Sequence, residues 1–241
     1  MSTTIITTCK GRLANLTEAV ASWIFATPCP ILIVSDGCPE LTGQDFHWNA
    51  RVRVIETGAA VTDYFSKPRA LNLGAEWAAT EHLLFFDADT LVMSRFWGWY
   101  APRVTADALF IVPPSPERRD LTGVLGVSRA DFRAVGGADE GMLGWGSEDL
   151  DLRLRLYLSR KLRVVEIPPD LLGSLPHDDA RRTRYYAEQD KMASHRRNLQ
   201  RLVDNAERLT GQSIWSLLAD PTVKRMFGSG LGPEHGEAHR G

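Results

Sequence analysis

Over the first ninety residues, short apolar runs alternate with segments of helical periodicity, and this alternation most restricts how the chain can fold. The β-branched runs at 3–8, 31–36 and 52–56 each end in polar residues, as strands do. Segment 13–26 has apolar residues at helical spacing, and 68–81 opens with a proline suited to a first helical turn. Strands that alternate with helices predict βαβ units. We therefore expect an α/β fold with a mostly parallel central sheet and flanking helices.

The rest of the chain is less regular but contains recognisable elements. Apolar runs at 108–114, 122–128 and 162–167 predict further strands, and 151–161 predicts a helix. A charged segment without glycine or proline, 181–209, predicts one long helix. Its basic residues are more typical of a solvated surface than of an anion site: Arg181, Arg182, Arg184, Arg196 and Arg197.

The composition is that of an ordinary globular protein. The 241 residues are 44% hydrophobic and 24% charged with a formal net charge of −2, which provides no general attraction to nucleic acid. We find no signal-peptide pattern and no apolar run near the roughly 20 residues of a membrane-spanning helix. Cys9, Cys29 and Cys38 lack metal-ligand spacing and are interpreted as reduced thiols. We expect a cytoplasmic protein that binds no nucleic acid and has no transmembrane segment.

An acidic pair, Asp87 and Asp89, follows the apolar run at 83–86. Residues i and i+2 of an extended chain point to the same face, so both carboxylates can be aimed at one point. Ligands of open α/β sheets bind beyond the carboxyl ends of the strands, where this pair is expected. The two carboxylates repel each other unless a cation lies between them, and their oxygens suit Mg²⁺ or Mn²⁺. Alternatively the aspartates simply end the strand through turn hydrogen bonds, and this segment alone leaves both interpretations open.

A second acidic cluster, Glu148, Asp149 and Asp151, follows a G-W-G-S turn at 144–147. Acids in a first helical turn complement the helix dipole, and the serine of the turn can act as a cap. That explanation accounts for one or two acids, but less well for three acids behind an aromatic turn. A carboxylate in a pocket can act as a general base for an attacking hydroxyl, and the face of Trp145 suits a sugar ring. We therefore interpret the cluster as functional.

Together these motifs carry a resemblance to a known family. Segment 123–156, GVLGVSRADFRAVGGADEGMLGWGSEDLDLRLRL, resembles the C-terminal half of the catalytic domain of inverting GT-A glycosyltransferases. It is similar to the bacterial family 2 enzymes, and to the β-1,4-galactosyltransferases in its G-W-G-x-E-D-x-D run. The resemblance extends over residues 3–178. It rests on the E-D-x-D block after G-G-x-D-E, since a D-x-D alone is not specific.

The resemblance implies a GT-A, Rossmann-like fold of the nucleotide-diphospho-sugar transferases, with a C-terminal helical extension. We expect a catalytic domain at 1–180. It would divide near residue 112 into a nucleotide-sugar-binding half and an acceptor-binding half at 113–180. The helical extension is expected at 181–227, and the glycine-rich tail at 228–241 is expected to be disordered.

The resemblance also implies roles for individual residues. Asp149 matches the catalytic base and has Glu148 beside it, while Glu148 and Trp145 match residues that hold the acceptor and shape the donor-sugar pocket. Asp89 matches the aspartate that contacts the metal, and Asp87 matches its neighbour facing the ribose or a metal-bound water. Further residues match positions that grip the nucleotide sugar: Thr8, Lys10, Arg12, Asp36 (at the position that binds the base, commonly uracil), Lys67, Arg69 and Asn72.

His177 is assigned as a third ligand of the Mn²⁺ or Mg²⁺ ion. It follows a predicted strand and a proline pair, where related enzymes often place a metal-binding histidine. The alternative is an ordinary solvated histidine in a polar loop.

The implied activity is metal-dependent transfer of a sugar, with inversion, from a nucleotide-diphosphate donor, expected to be a UDP-sugar. The acceptor would be a carbohydrate, a glycopeptide or a small molecule. One rival is a retaining enzyme similar to the polypeptide N-acetylgalactosaminyltransferases, whose block usually carries Glu-Asn in place of Glu148-Asp149. Another is a non-catalytic module that binds a nucleotide or carbohydrate. A nucleotidyltransferase fits less well, because it would show a glycine-rich phosphate loop after the first strand.

Overall fold

The computed structural model describes residues 1–42, 44–115, 120–176 and 183–228. His177, Arg181, Arg182 and all of the predicted tail beyond Gly228 lie outside these ranges. The strands of the described part are β1 Thr3–Cys9, β2 Ile31–Ser35, β3 Val52–Glu56, β4 His82–Phe85, β5 Thr90–Val92, β6 Ala108–Ile111, β7 Leu125–Ser128, β8 Arg163–Glu166 and β9 Leu172–Ser174.

Seven of these strands form a central sheet in the order β3-β2-β1-β4-β7-β6-β8. Four of its six neighbouring pairs are parallel, and only β7 runs antiparallel to its neighbours β4 and β6. The other two strands, β5 and β9, form a small antiparallel pair. The prediction of an α/β fold with a mostly parallel central sheet is therefore confirmed.

Helices cover both faces of the central sheet. One face packs against α2, α5 and the C-terminal helices, and the other packs against α1 and α3. Within the described ranges no helix is both long and apolar enough to cross a bilayer. The helices are α1 Leu13–Ala26, α2 Lys67–Trp77, α3 Phe96–Tyr100, α4 Arg129–Ala134, α5 Glu148–Arg160, α6 Lys191–Thr210, α7 Ile214–Leu217 and α8 Pro221–Phe227.

Helix α2 packs closely on β1. Ser66 caps its N-terminus by accepting a hydrogen bond from the Arg69 N–H, and a proline follows in the first turn. Gly74 lies directly over Ile6 of β1, where a Cβ atom would come within 2.5 Å of the Ile6 Cγ2 atom. A larger residue would push the helix away from the strand. This contact sets the first residue of the helix, Lys67, beside the ends of β1 and β4.

The long helix predicted over 181–209 is wrong for residues 184–190, which form turns and irregular backbone. Helix α6 starts only after Asp190, whose carboxylate accepts hydrogen bonds from the N–H groups of Met192 and Ala193 at 2.9 and 3.0 Å. An aspartate in this position satisfies the first N–H groups of a helix and so marks its start. Charged residues without glycine or proline therefore concealed a helix boundary.

The buried His82 on β4 makes the stability of the fold dependent on pH. Its Nε2 atom lies 2.8 Å from the Tyr100 hydroxyl, and burial lowers its pKa from 6.5 to about 4. Between these two pH values the unfolded chain binds a proton at His82 and the folded chain does not. The free energy of unfolding should therefore fall as the pH drops through this interval, by up to about 3 kcal/mol.

Denaturant unfolding of the natural chain and of His82→Gln at both ends of that interval measures this effect. The variant should lose less stability on acidification than the natural chain does. Equal losses in the two proteins would contradict the role given to His82.

Candidate active site

A cavity of about 550 Å³ opens where β1 and β4 end, beside the N-terminus of α5. The carboxyl ends of neighbouring parallel strands meet at one edge of a sheet, which explains why motifs distant in sequence converge here. The D-x-D pair lies just after β4, and the E-D-x-D block forms the first turn of α5. Nine of the predicted site residues line the cavity: Thr8, Lys10, Arg12, Lys67, Asp87, Asp89, Trp145, Glu148 and Asp149.

Lys67 links the two acidic motifs. Its Nζ atom lies 2.9 Å from Asp87 Oδ1, 3.0 Å from Asp149 Oδ1 and 3.5 Å from Glu148 Oε1. Burial would favour the neutral amine, but the charges of Asp149, Asp87 and Glu148 outweigh it and raise the pKa of Lys67 well above its ordinary value. One fixed positive charge therefore holds three carboxylates together at the cavity wall.

The two aspartate partners of Lys67, Asp149 and Asp87, differ in their affinity for a proton. Burial raises the pKa of Asp149 to about 7, with Glu148 adding to the rise and Lys67 opposing it. Burial acts in the same direction on Asp87, but the charge of Lys67 and its hydrogen bond outweigh it, so the pKa of Asp87 is lowered. Two neighbouring carboxylates with pKa values pushed apart are suited to different roles, one as a proton acceptor and one as a permanent anion. About 25% of the Asp149 side chain remains exposed to the cavity.

Asp89 lies deeper than Asp87. Its side chain is 4% exposed, and its Oδ2 atom lies 3.1 Å from an Arg12 guanidinium nitrogen. The Leu175 N–H donates to the Asp89 backbone oxygen at 2.8 Å, directly after the pairing of β5 with β9. The end of β9 is thus tied to the D-x-D pair, two residues before His177.

The chemistry of these donors fits a divalent cation. In the part of the chain that the structure describes, no three acidic, histidine or cysteine side chains are arranged to hold a metal by themselves. Asp87 and Asp89 nevertheless both face the cavity. Mg²⁺ and Mn²⁺ sites often use one or two carboxylates completed by phosphate oxygens and water. The third predicted ligand, His177, lies outside the described residues.

Three residues predicted to bind the nucleotide, Asp36, Arg69 and Asn72, do not line the cavity. Asp36 is fully buried, and its carboxylate accepts hydrogen bonds from Arg69 and from the Thr57 hydroxyl, both at 2.6 Å. Asn72 exchanges two hydrogen bonds with the backbone of Ala138, at 3.0 and 2.8 Å. Asp36 and Arg69 thus connect the loop after β2 to the first turn of α2, and Asn72 holds the G-G-A-D-E segment.

The turn at 144–147 has an unusual backbone. Gly144, Gly146 and Ser147 have φ angles of 82°, 100° and 67°, and a left-handed serine is strained unless its surroundings hold it in place. At both glycines a Cβ atom would collide with side chains of α6. The turn therefore requires glycine for its conformation and for its close contact with the helix.

Two buried polar side chains of α6 hold this turn, a contact that the sequence analysis did not anticipate. Ser194 Oγ accepts from the Trp145 N–H at 2.7 Å and donates to the Trp145 oxygen at 3.1 Å. Asn198 Nδ2 donates to the Gly146 oxygen at 2.9 Å. Lys191 Nζ lies 4.3 Å from the centroid of the Trp145 ring, within range of a cation–π interaction. Because the E-D pair follows the turn directly, α6 positions both the tryptophan and the acids.

Replacing Ser194 with alanine tests this contact. The change leaves partly buried backbone groups of the turn without their partner, which should lower the free energy of unfolding by about 1 kcal/mol. Thermal unfolding measures this loss. Ser159→Ala, at an exposed position on α5, is the matched control, and identical behaviour of the two variants would contradict the role of Ser194.

Arg153 lies beneath the acidic residues and was also missed in the sequence. Its side chain is 2% exposed, and it donates to the backbone oxygens of Val112 and Val124 at 3.2 Å each. Burial lowers its pKa to about 10, with Asp149 and Asp87 acting in the opposite direction. Arg153 therefore remains charged at neutral pH and adds a second fixed cation behind the carboxylates. In the repeat L-R-L-R-L no local signal tells which arginine points inward.

Comparison with known families gives one match. A family model described as the N-terminal domain of galactosyltransferase matches residues 107–177. This segment contains the turn at 144–147 and the E-D-x-D block. A search of curated proteins gives no significant match.

Solved structures match over most of the chain. GalNAc-T7 crystallised with UDP, GalNAc and Mn²⁺ aligns with a TM-score of 0.61 and 16% identity, over 85% of this chain and 48% of that chain. Residues 1–349 of TarS from S. aureus align with a TM-score of 0.62 and 12% identity, over 98% of this chain and 74% of that chain. The chain thus spans about half the length of the GalNAc-T7 chain. These likenesses show the GT-A glycosyltransferase fold and, with the family match, support a glycosyltransferase.

Proposed function

We propose that the chain is a metal-dependent glycosyltransferase that transfers a sugar from a UDP-sugar to an acceptor hydroxyl with inversion. The observation that carries this proposal is the position of Asp149. It is a carboxylate with a pKa raised to about 7, in the same cavity as the D-x-D pair. A general base is most effective when its pKa lies near the working pH.

The donor would bind at the ends of β1 and β4. Thr8, Lys10 and Arg12 line this side of the cavity. The Lys10 ammonium is held by the backbone oxygens of Asp36 and Asp63, so the Arg12 guanidinium is the cation here better suited to a diphosphate. Lys67 also lines the cavity. Its ammonium group would exchange a contact with the carboxylates for one with a phosphate oxygen of the donor. GalNAc-T7, with which the fold is shared, was crystallised with UDP and GalNAc, and this favours a UDP-sugar here.

The divalent cation would be held by Asp89 and Asp87, with His177 as a further ligand. When bound, it would neutralise the charge that develops on the departing diphosphate. The structure of GalNAc-T7 with Mn²⁺ favours this metal. The hydrogen bond between Leu175 and the Asp89 backbone supports His177, because it brings the preceding residues to the D-x-D pair.

Asp149 would take the proton from the acceptor hydroxyl while the acceptor oxygen attacks the anomeric carbon. The bond to the diphosphate breaks on the opposite side, and a single displacement of this kind inverts the anomeric configuration. Glu148 and the ring of Trp145 would hold the acceptor. Trp145 lies in the turn that α6 supports, and Glu148 follows this turn as the first residue of α5.

A retaining transferase is the second candidate, and the shared fold with GalNAc-T7 is the observation that favours it. The residue pair favours inversion, because this chain carries Glu148-Asp149 and the retaining relatives usually carry Glu-Asn at the matching positions. A non-catalytic binding module is less favoured, since the Asp149 carboxylate is present and borders the cavity.

The decisive experiment incubates the protein with a panel of nucleotide sugars and Mn²⁺, and follows release of the nucleoside diphosphate. We expect release from a UDP-sugar and its suppression by a chelator. NMR of the product then gives the anomeric configuration. A retained configuration would overturn the inverting mechanism, and UDP binding without turnover of any donor would favour the binding module.

A further inference from the structure

Two of the three cysteines lie in contact beside the cavity. The Sγ atoms of Cys9 and Cys38 are 3.7 Å apart, and both cysteines are free thiols. Cys9 is the last residue of β1, and Cys38 follows β2 in the loop that begins with Asp36. The two residues are 1% and 6% exposed, so both are buried and Cys38 is the less buried of the two.

The surroundings of the two sulfurs make them chemically unequal. Hydrogen bonding from Cys9 lowers the pKa of Cys38 to about 6, and the Gly11 N–H also donates to Cys38 Sγ at 3.3 Å. The same contact raises the pKa of Cys9 far above its ordinary value. One thiolate held against one thiol is the arrangement of a reactive cysteine with a resolving partner.

We propose that Cys9 and Cys38 form an oxidation site, at which a small hydroperoxide such as hydrogen peroxide converts the two thiols reversibly into a disulfide. The Cys38 thiolate attacks one peroxide oxygen, the O–O bond breaks, and a sulfenic acid and hydroxide result. Cys9 Sγ then attacks Cys38 Sγ, the S–S bond forms and the S–O bond breaks. The leaving hydroxide takes the Cys9 proton. The first hydroxide takes the proton that Cys38 released on ionisation, so the two thiols together lose two electrons and two protons, and the peroxide becomes two molecules of water.

The disulfide would alter the edge of the sheet that borders the cavity. A disulfide bond is about 2.05 Å long, so the two sulfurs must approach from 3.7 Å. Cys9 is fixed in the sheet opposite Ser35 of β2, whereas Cys38 lies in the loop after β2. We therefore expect the movement to fall on the loops that follow the two strands. One of these is Lys10–Gly11–Arg12, in which Gly11 has a φ angle of 71° and both flanking cations line the cavity.

Oxidation with a stoichiometric amount of hydrogen peroxide tests the site in the natural, full chain. After alkylation of free thiols, mass spectrometry of peptides should show Cys9 linked to Cys38 and Cys29 still alkylated, with dithiothreitol reversing the link. Cys29 is the internal control, because it is buried without a sulfur partner and burial raises its pKa to about 11. Retention of all three free thiols, or links only between separate chains, would overturn the proposal.

Single variants separate the two chemical steps. Cys29→Ser should form the Cys9–Cys38 link at the same rate as the natural chain. Cys9→Ser should instead accumulate a sulfenic acid on Cys38 that dimedone traps, and its circular dichroism shows whether it remains folded. Trapping at Cys29, or no trapping in a folded variant, would contradict the assigned roles.

The expected weakening of nucleotide binding rests on the proposed function, whereas formation of the Cys9–Cys38 disulfide does not. Calorimetry with UDP and Mn²⁺ should show binding several-fold weaker for the oxidised protein than for the reduced protein, with recovery after dithiothreitol. Equal affinities would overturn the effect on the cavity. If the reduced protein binds no UDP, the proposed function fails, and the peptide link still decides the oxidation site.

Discussion

Replacing Asp149 with asparagine should lower kcat by about 10²- to 10⁴-fold, the usual contribution of a general base, and leave UDP binding nearly unchanged. Asparagine keeps the shape of the side chain but cannot accept the proton of the acceptor hydroxyl. Single-turnover kinetics and calorimetry with UDP measure the two effects. Asp170→Asn is the control, since Asp170 forms an exposed ion pair with Arg95 away from the cavity. Unchanged turnover in Asp149→Asn would remove the proposed base.

The same residue predicts the pH dependence of the reaction. Because burial raises the pKa of Asp149 to about 7, the carboxyl is protonated and inactive as a base below that pH and active above it. The value of kcat/KM, which reports ionisation of the free enzyme, should fall about tenfold per pH unit on the acid side. In Asp149→Asn this acid limb should disappear. An acid limb that survives in the variant would assign it to another group.

Replacing Asp89 with alanine should weaken Mn²⁺-dependent binding of UDP by at least about 100-fold, since even outer-shell partners of a metal contribute 10- to 100-fold. Calorimetry with UDP, with and without Mn²⁺, measures this loss. Asp89 is buried against Arg12, so the alanine variant also leaves a cation without this partner. Asp89→Asn keeps the size of the side chain and its ability to form hydrogen bonds. It therefore tests the metal role if the alanine variant does not fold. Normal Mn²⁺-dependent binding in a folded variant would exclude Asp89 as a metal ligand.

The sheet and the position of the first acidic motif follow from the sequence because both depend on local patterns. Apolar runs separated by helical periodicity predict a parallel sheet, and the carboxyl ends of its strands then define one edge. Asp87 and Asp89 could therefore be placed at that edge without knowledge of the strand order. Glu148 and Asp149 could be joined to them only through the resemblance to GT-A glycosyltransferases, because no local pattern tells where the helix that carries them lies.

The contacts between distant side chains could not be predicted in this way. Ser194 and Asn198 are ordinary polar residues of a charged helix, and nothing in their neighbourhood indicates that they face Trp145. Asp190, by contrast, is a recognisable helix cap, but the surrounding charged residues obscured it. Lys67 matches a position that grips the nucleotide sugar, but its contacts with three carboxylates were not foreseen, because they depend on how closely α2 packs on β1.

The attachment of the turn at 144–147 to α6 has a consequence for synthesis of the protein. The chain emerges from the ribosome N-terminus first, so the sheet strands and α5 are made before Ser194 and Asn198. Until these two residues appear, the backbone groups of Trp145 and Gly146 lack the side chains that satisfy them. A nascent chain that stops short of residue 198 can therefore contain Asp87, Asp89, Glu148 and Asp149 without the contacts that position the last two. Only when α6 is complete is the turn that precedes Glu148 and Asp149 held in place.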